Sequence, residues 1–318
     1  MSRQPHVSAY LALVSVCFFW GTTYLAIRMS LESFPPLLLV SARYVISGSL
    51  MLTAIAMRGD RLPRGRDLRA ACLSGMLVLG IGNGCLVFAE LWVPSGVACL
   101  ILTISPFWMV GIEALLPGGE PLHLPGILGM VVGLLGASLL FAPDWLKGAS
   151  HPGNSGLFSG FLILQLAMAG WSFGSIYQRR QPSHAHPIVI GAVQQLSAGL
   201  ACLPLALIFR GHAIHWSSRG VAAILYLVMF GSIVGYSAYI FALDRLPVAI
   251  VSIYPYVNSV VAVTLGWLFY REPFGLRELA AMAIIFTGVA LVKRYSRPRV
   301  TAFPQTSRPA PLPQYKKT

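Results

Sequence analysis

Residues 18–48 read FFWGTTYLAIRMSLESFPPLLLVSARYVISG, and residues 168–199 read MAGWSFGSIYQRRQPSHAHPIVIGAVQQLSAG. At a single offset of about 151, Trp20 falls on Trp171, Arg28 on Arg179, Pro36 on Pro187 and Gly48 on Gly199. Toward the end of each half the offset is about 152. There GEPLHLPGILGMVVGLLGASLL (119–140) meets REPFGLRELAAMAIIFTGVALV (271–292), which pairs Glu120 and Pro121 with Glu272 and Pro273, and Gly136 with Gly288. An ordered series of matches over two halves marks an internal repeat.

The solvent of that repeat follows from composition. The 318 residues are 56% hydrophobic and 10% charged, with a mean hydropathy of +0.71. A soluble domain carries roughly 25% charged residues, so the surface of this chain is matched to hydrocarbon. Apolar runs of about 20 residues recur, each long enough to cross roughly 30 Å of bilayer core. Ten spans are predicted, at about 9–27, 37–57, 71–91, 97–116, 124–142, 157–177, 188–209, 220–241, 248–270 and 277–293. The first is too long and lacks the small-residue cleavage site of a signal peptide.

Each copy of the repeat therefore holds five spans, and five is odd. A second copy that begins after an odd number of crossings enters the membrane from the opposite side. The expected architecture is an all-α membrane protein of two inverted five-helix repeats, 8–142 and 157–293, the arrangement of many secondary transporters. Residues 294–318 are rich in proline, polar residues and positive charge, and read as a disordered cytoplasmic tail.

The net charge of +13 excludes little until its placement is considered. Arg58, Arg61, Arg64, Arg66 and Arg69 crowd one loop, and seven of the basic residues lie from Lys293 onward. This is the positive-inside distribution. It puts both termini in the cytoplasm and argues against a nucleic-acid partner. The five cysteines all fall in apolar spans without CxxC spacing, so they read as small buried hydrophobes. No metal site is expected. Neither a GxxxxGK[ST] loop, an HExxH nor a GxSxG is present, so no cofactor, no ATP drive and no enzyme activity are expected.

The WG-T-Y-LAIR opening of the first half, GNGCLVFAELWVPSGVACL, SPFWMVGIEALL and the long run from YLVMFGSIVGYSAYIFALDRLPVAIV to GWLFYREPF resemble the EamA family of the drug/metabolite transporter superfamily, and within it the YedA-like exporters. The resemblance covers about 8–293. It implies export of small metabolites or drugs across the bacterial inner membrane. One departure stands out. Family members usually carry proline after the asparagine of the ninth span, as the first half does at Pro106. This chain has Ser259 there and Pro255 four residues earlier, which shifts the bend by about a turn.

Charges inside spans are expensive and usually face a cavity or a partner. Arg43, Glu90 and Glu113 are the candidates. Arg43 and Glu90 both fall within roughly 10 Å of the same interface at 1.5 Å per helical residue, so a pair between them is within reach. The alternative for Glu90 is an interfacial anchor beside Trp92. Glu113 reads either as a water-facing end residue or as a coupling carboxylate. Gln194 matches Arg43 in the repeat, and Trp20 matches Trp171. The substrate-binding set is therefore Trp20, Arg43, Asn83, Glu90, Trp171, Gln194, Tyr239 and Asn258, with Glu90 and Glu113 as coupling residues. The amides have a competing role in helix–helix hydrogen bonds, and most aromatics sit in interfacial belts. Gly80, Gly82 and Gly84 would let span three bend ahead of Glu90, while Gly129 and Gly133 form a GxxxG for close helix packing.

The expected partners are a small organic solute, the lipid bilayer and a proton as coupling ion, with the chain a monomer or weak homo-oligomer. Two rival classes remain: a lipid-modifying membrane enzyme, for which the acids are too sparse, and a structural membrane protein, which has no need of two opposed halves.

Overall fold

The computed structural model describes residues 7–118, 123–146, 155–181, 185–209, 213–246, 248–251, 253–272 and 274–295. Glu120, Pro121, His184 and all of the predicted tail beyond Tyr295 lie outside them. Helices dominate, and no strand occurs among the described residues. In chain order they are α1 Val7–Leu31, α2 Pro36–Met57, α3 Gly65–Ala89, α4 Ser95–Leu102, α5 Ser105–Leu115, α6 Leu124–Leu146, α7 Ser155–Arg180, α8 Pro187–Ile208, α9 218–245, α10 Val248–Val251, α11 Tyr254–Tyr270 and α12 Leu276–Tyr295.

Among the described residues, seven segments are long and apolar enough to cross a bilayer: α1, α2, α3, the α4–α5 pair over Ser95–Leu115, Phe158–Arg180 in α7, α8, and Ser218–Leu243 in α9. Leu124–Leu140 in α6 is a shorter apolar helix. The predicted ninth and tenth spans coincide with α10–α11 and α12. Large apolar side chains such as Leu11, Val14, Phe18, Leu50, Leu162, Trp267 and Phe269 are exposed around the bundle, a coat that suits lipid rather than water.

Prolines set the breaks. Span four divides at Thr103–Ile104, and α5 begins with Pro106 in its first turn, where the missing N–H costs nothing. In span nine, α10 ends at Val251 and α11 begins at Tyr254 with the displaced Pro255 in its first turn.

Spans three and eight share a different irregularity. Met76–Asn83 and Leu227–Val234 are both π-helical, eight residues each, and their starts are 151 residues apart. A π segment widens the helix and frees carbonyls from the regular ladder. In span three it carries Gly80 and Gly82, so the dense glycines mark a local rewinding just ahead of Glu90.

Two helix pairs carry the closest packing. In the first, α2 and α8 run antiparallel. Ser41 Oγ donates to the Gly199 carbonyl at 3.0 Å, and Ser47 Oγ donates to Gln195 Oε1 at 2.5 Å. A Cβ on Gly48 would lie 2.5 Å from Leu196 N, and one on Gly199 would lie 2.5 Å from Val45 N. The two contacts are reciprocal: each glycine meets the residue three positions before its counterpart. In the second pair, α6 and α12 do the same. A Cβ on Gly136 would lie 2.9 Å from Ile285 N, and one on Gly288 would lie 2.5 Å from Gly133 N. The GxxxG packs as expected, with Gly129 against the Gly288 carbonyl. Around these seams, α1 packs on α9 and α11, while α7 packs on α3 and α5.

Candidate functional site

Glu90 ends α3. Its side chain is 1% exposed, so it is not an interfacial anchor facing water; the neighbouring Trp92, 42% exposed, has that position. Neither carboxylate oxygen of Glu90 has a hydrogen-bond partner. The charged groups that act on it are Glu272 and Arg28. Arg28 Nη1 donates to the Glu90 main-chain carbonyl at 2.9 Å, which fixes the end of α3 without neutralising the side chain.

The expected pair with Arg43 is not formed. Arg43 Nε donates instead to Ser232 Oγ at 2.9 Å, and its guanidinium lies 5.0 Å from the Tyr44 ring centre. Arg43 lies two turns inside α2, which turns it toward the π segment of α9, whereas Glu90 follows the last residue of α3.

Around Glu90 the two halves are tied together. Pro94 opens α4 and provides no side-chain cap, so its first N–H groups need an acceptor from elsewhere. Glu272, at the end of α11, supplies one. It accepts from Ser95 N at 2.8 Å, Ser95 Oγ at 2.9 Å and Gly96 N at 3.0 Å, an anion on the positive end of a helix. Nearby, Tyr270 OH donates to Glu32, Arg219 Nη1 stands 3.7 Å from Glu32, and Ser33 shares a 2.7 Å hydrogen bond with Ser217. Glu272→Ala is expected to cost about 2–3 kcal/mol, because charge-assisted hydrogen bonds are lost and two N–H groups are orphaned. Glu272→Gln should retain part of this. Thermal denaturation midpoints in detergent test it, and an unchanged midpoint in the alanine variant would contradict the cap.

Trp20, Tyr239 and Asn258 are brought together. The Trp20 indole N–H donates to the Gly231 carbonyl at 3.0 Å, an acceptor in the π segment of α9. Its ring lies 5.3 Å from Tyr239 and 5.1 Å from Tyr254, and those two lie 5.6 Å apart. Asn258, 4% exposed, has its amide against the carbonyls of Cys17 and Tyr254, two acceptors that its nitrogen, assigned to that side, reaches at 2.8 and 3.0 Å, joining α1 to α11.

Trp171 packs in the equivalent place on α7. A Cβ on Gly82 would lie 3.2 Å from Trp171 Cβ. Asn83 is placed at the end of the π segment with its Oδ1 buried and unpartnered. Gln194 donates to Ser74 Oγ at 2.9 Å, and Ser74 donates to Gln178 at 2.6 Å, the helix-joining role weighed against a cavity role. Glu113 takes ion pairs from Arg179 at 2.7 Å and Arg180 at 2.9 Å. Both of its oxygens are thus committed to holding α5 against α7. Among the described residues, no cluster of side chains could hold a metal ion.

Sequence reasoning passed over Glu272, Arg28, Ser232 and Tyr254 as site residues. For two of them a signal existed: Arg28 and Glu272 are both members of repeat-matched pairs.

The EamA-like transporter family model matches residues 7–142 and 158–294, the two halves in turn. The chain belongs to the EamA-like transporter family. It is therefore a multi-pass membrane transporter of small substrates. It is 33% identical over 284 residues to the "Uncharacterized inner membrane transporter YedA" of Escherichia coli (strain K12), covering 88% of this chain and 89% of that one. A "Probable terminal-alkyne amino-acid exporter" of Streptantibioticus cattleyicolor is 23% identical over 299 residues, covering 89% and 92%. A crystal structure shares the fold, with a TM-score of 0.62 and 20% identity over 91% of this chain and 99% of that chain.

Proposed function

We propose that this EamA-family chain exports a small organic solute, an amino acid, metabolite or drug, across the bacterial inner membrane by alternating access between two inverted five-helix halves. The observation that carries this is the pair of reciprocal glycine crossings. In both seams a helix packs antiparallel on its own repeat counterpart, and residue i meets j while the counterpart of i meets the counterpart of j. That reciprocity is the contact pattern of a two-fold axis. An axis between antiparallel helices runs across them, in the membrane plane. The repeat-matched π segments, and the equivalent packing of α1 and α7, support the same reading.

The exporter name of the Streptantibioticus relative supports export, and that of YedA supports the inner membrane. The positive-inside distribution supports cytoplasmic termini, and on that orientation the Glu90 end of the bundle faces outward. We place proton coupling at Glu90 rather than Glu113, because Glu90 is buried with uncommitted oxygens while Glu113 is held by two arginines.

Counterflow of labelled amino acids into liposomes carrying the purified protein, with and without a pH gradient, tests both parts. Saturable flux accelerated by the gradient is expected. Saturable flux indifferent to the gradient would remove the proton, and the absence of flux for every organic solute tried would remove the substrate class.

A further inference from the structure

Arg43 is 6% exposed, yet its charge meets no acid. Apart from the Nε bond to Ser232 and the face of Tyr44, its terminal nitrogens Nη1 and Nη2 have no hydrogen-bond partner among the described residues, nor does any carboxylate stand within ion-pair distance. A guanidinium keeps its proton at any physiological pH. Its N–H donors are therefore uncommitted inside an apolar bundle, where an uncompensated ion is costly until a counter-charge arrives. The matching position in the second half differs. Gln194, Ser74 and Gln178 bond in series there, and the site is neutral. Of these two matched positions, the one in the first half holds a cation and the one in the second a neutral amide.

The surroundings of that cation define what would fit. Gly231, in the π segment of α9, has Arg43 on one side: a Cβ there would fall 2.9 Å from Nη2. Its carbonyl takes the Trp20 indole N–H. One glycine thus separates the guanidinium from the ring cluster of Trp20, Tyr239 and Tyr254. We infer that Arg43 anchors the anionic group of the transported solute, and that this solute is an organic carboxylate whose apolar or aromatic body rests on Trp20, Tyr239 and Tyr254. The inference rests on reading the chain as an exporter of small organic solutes. A guanidinium fork matches a carboxylate with two parallel hydrogen bonds. One cation also matches one charge, whereas a phosphate monoester brings about −1.5 to −2.

The test compares isosteric acids and amides: phenylacetate against phenylacetamide, and 4-methylvalerate against 4-methylvaleramide. Binding to the purified full-length protein is read by the shift in its thermal denaturation midpoint. The wild type should bind each acid at least about tenfold more tightly than its amide, the scale of a charge-assisted bidentate pair. Arg43→Gln should reduce that preference to within about twofold, and Arg43→Lys, which keeps the charge but not the fork, should fall between. Equal binding of acid and amide by the wild type, binding of neither, or an acid preference that survives Arg43→Gln would overturn the anchor. Should Arg43→Gln fail to fold, the wild-type comparison decides alone. Arg43-dependent acid binding without flux would count against transport and leave the anchor standing. Flux without any acid preference would do the reverse.

Discussion

Replacing Gly48 with alanine is expected to destabilise the protein by about 3 kcal/mol, the upper part of the range for overpacked interiors. In an unobstructed helix the same change stabilises, by roughly 0.5–1 kcal/mol, because glycine is a poor helix former. The sign is therefore diagnostic. At Gly48 the new methyl would lie 2.5 Å from Leu196 N and 2.8 Å from Leu196 Cα. These are backbone atoms of α8, which no rotamer change can move aside. Gly199→Ala meets Val45 N at the same 2.5 Å and should cost a similar amount. Gly111→Ala is the control, since nothing lies within 4 Å of a Cβ there, and its midpoint should hold or rise. The double variant should cost less than the sum of the singles, because the first methyl already prises apart the seam that the second would enter. Thermal denaturation in detergent reads all four. A rise in midpoint for Gly48→Ala would mean that the two halves do not meet at that crossing.

Those glycines show how far the sequence could be read. Gly48 with Gly199, and Gly136 with Gly288, emerge from the offset alone as equivalent positions. In the structure they are also the crossing points of the two seams, because only residues without a side chain let helix backbones approach so closely. The helical class and the proline in the first turn of α11 were legible for similar reasons. Apolar length and proline chemistry are local properties, and a linear string preserves them. What the string does not preserve is which faces meet. Counting residues from the helix ends puts Arg43 and Glu90 within roughly 10 Å of one interface, and that count suggested a pair. Which neighbour each side chain turns toward depends on helix rotation, and that is set by packing on remote segments. The charged groups that act on Glu90 are Arg28 and Glu272, and no window of sequence contains both. The capping role of Glu272 was hidden for the same reason: the helix it caps is in the other half. The π segments were visible only as glycine density, which predicts looseness but not the extra residue per turn.

Glu90→Gln is expected to lower solute flux at least tenfold, roughly the scale at which a residue becomes essential to a step, while leaving the folded protein as stable as the wild type or slightly more so. The two halves of this expectation have one physical cause. Both carboxylate oxygens are buried without a donor, so no hydrogen bond is lost when an isosteric amide replaces them, and the cost of burying an unpartnered ionisable group is removed. The Arg28 bond goes to the main-chain carbonyl and survives the substitution, so the end of α3 keeps its anchor. What the amide cannot do is take up and release a proton. If Glu90 carries the coupling ion, any residual flux in the variant should no longer respond to a pH gradient that accelerates the wild type. Glu90→Asp keeps the titratable group on a shorter stem and should retain partial, gradient-sensitive flux. Normal, gradient-sensitive flux in Glu90→Gln would remove the residue from the transport cycle. A loss of several kcal/mol of stability at unchanged flux would instead make Glu90 a structural partner of Arg28 and Glu272.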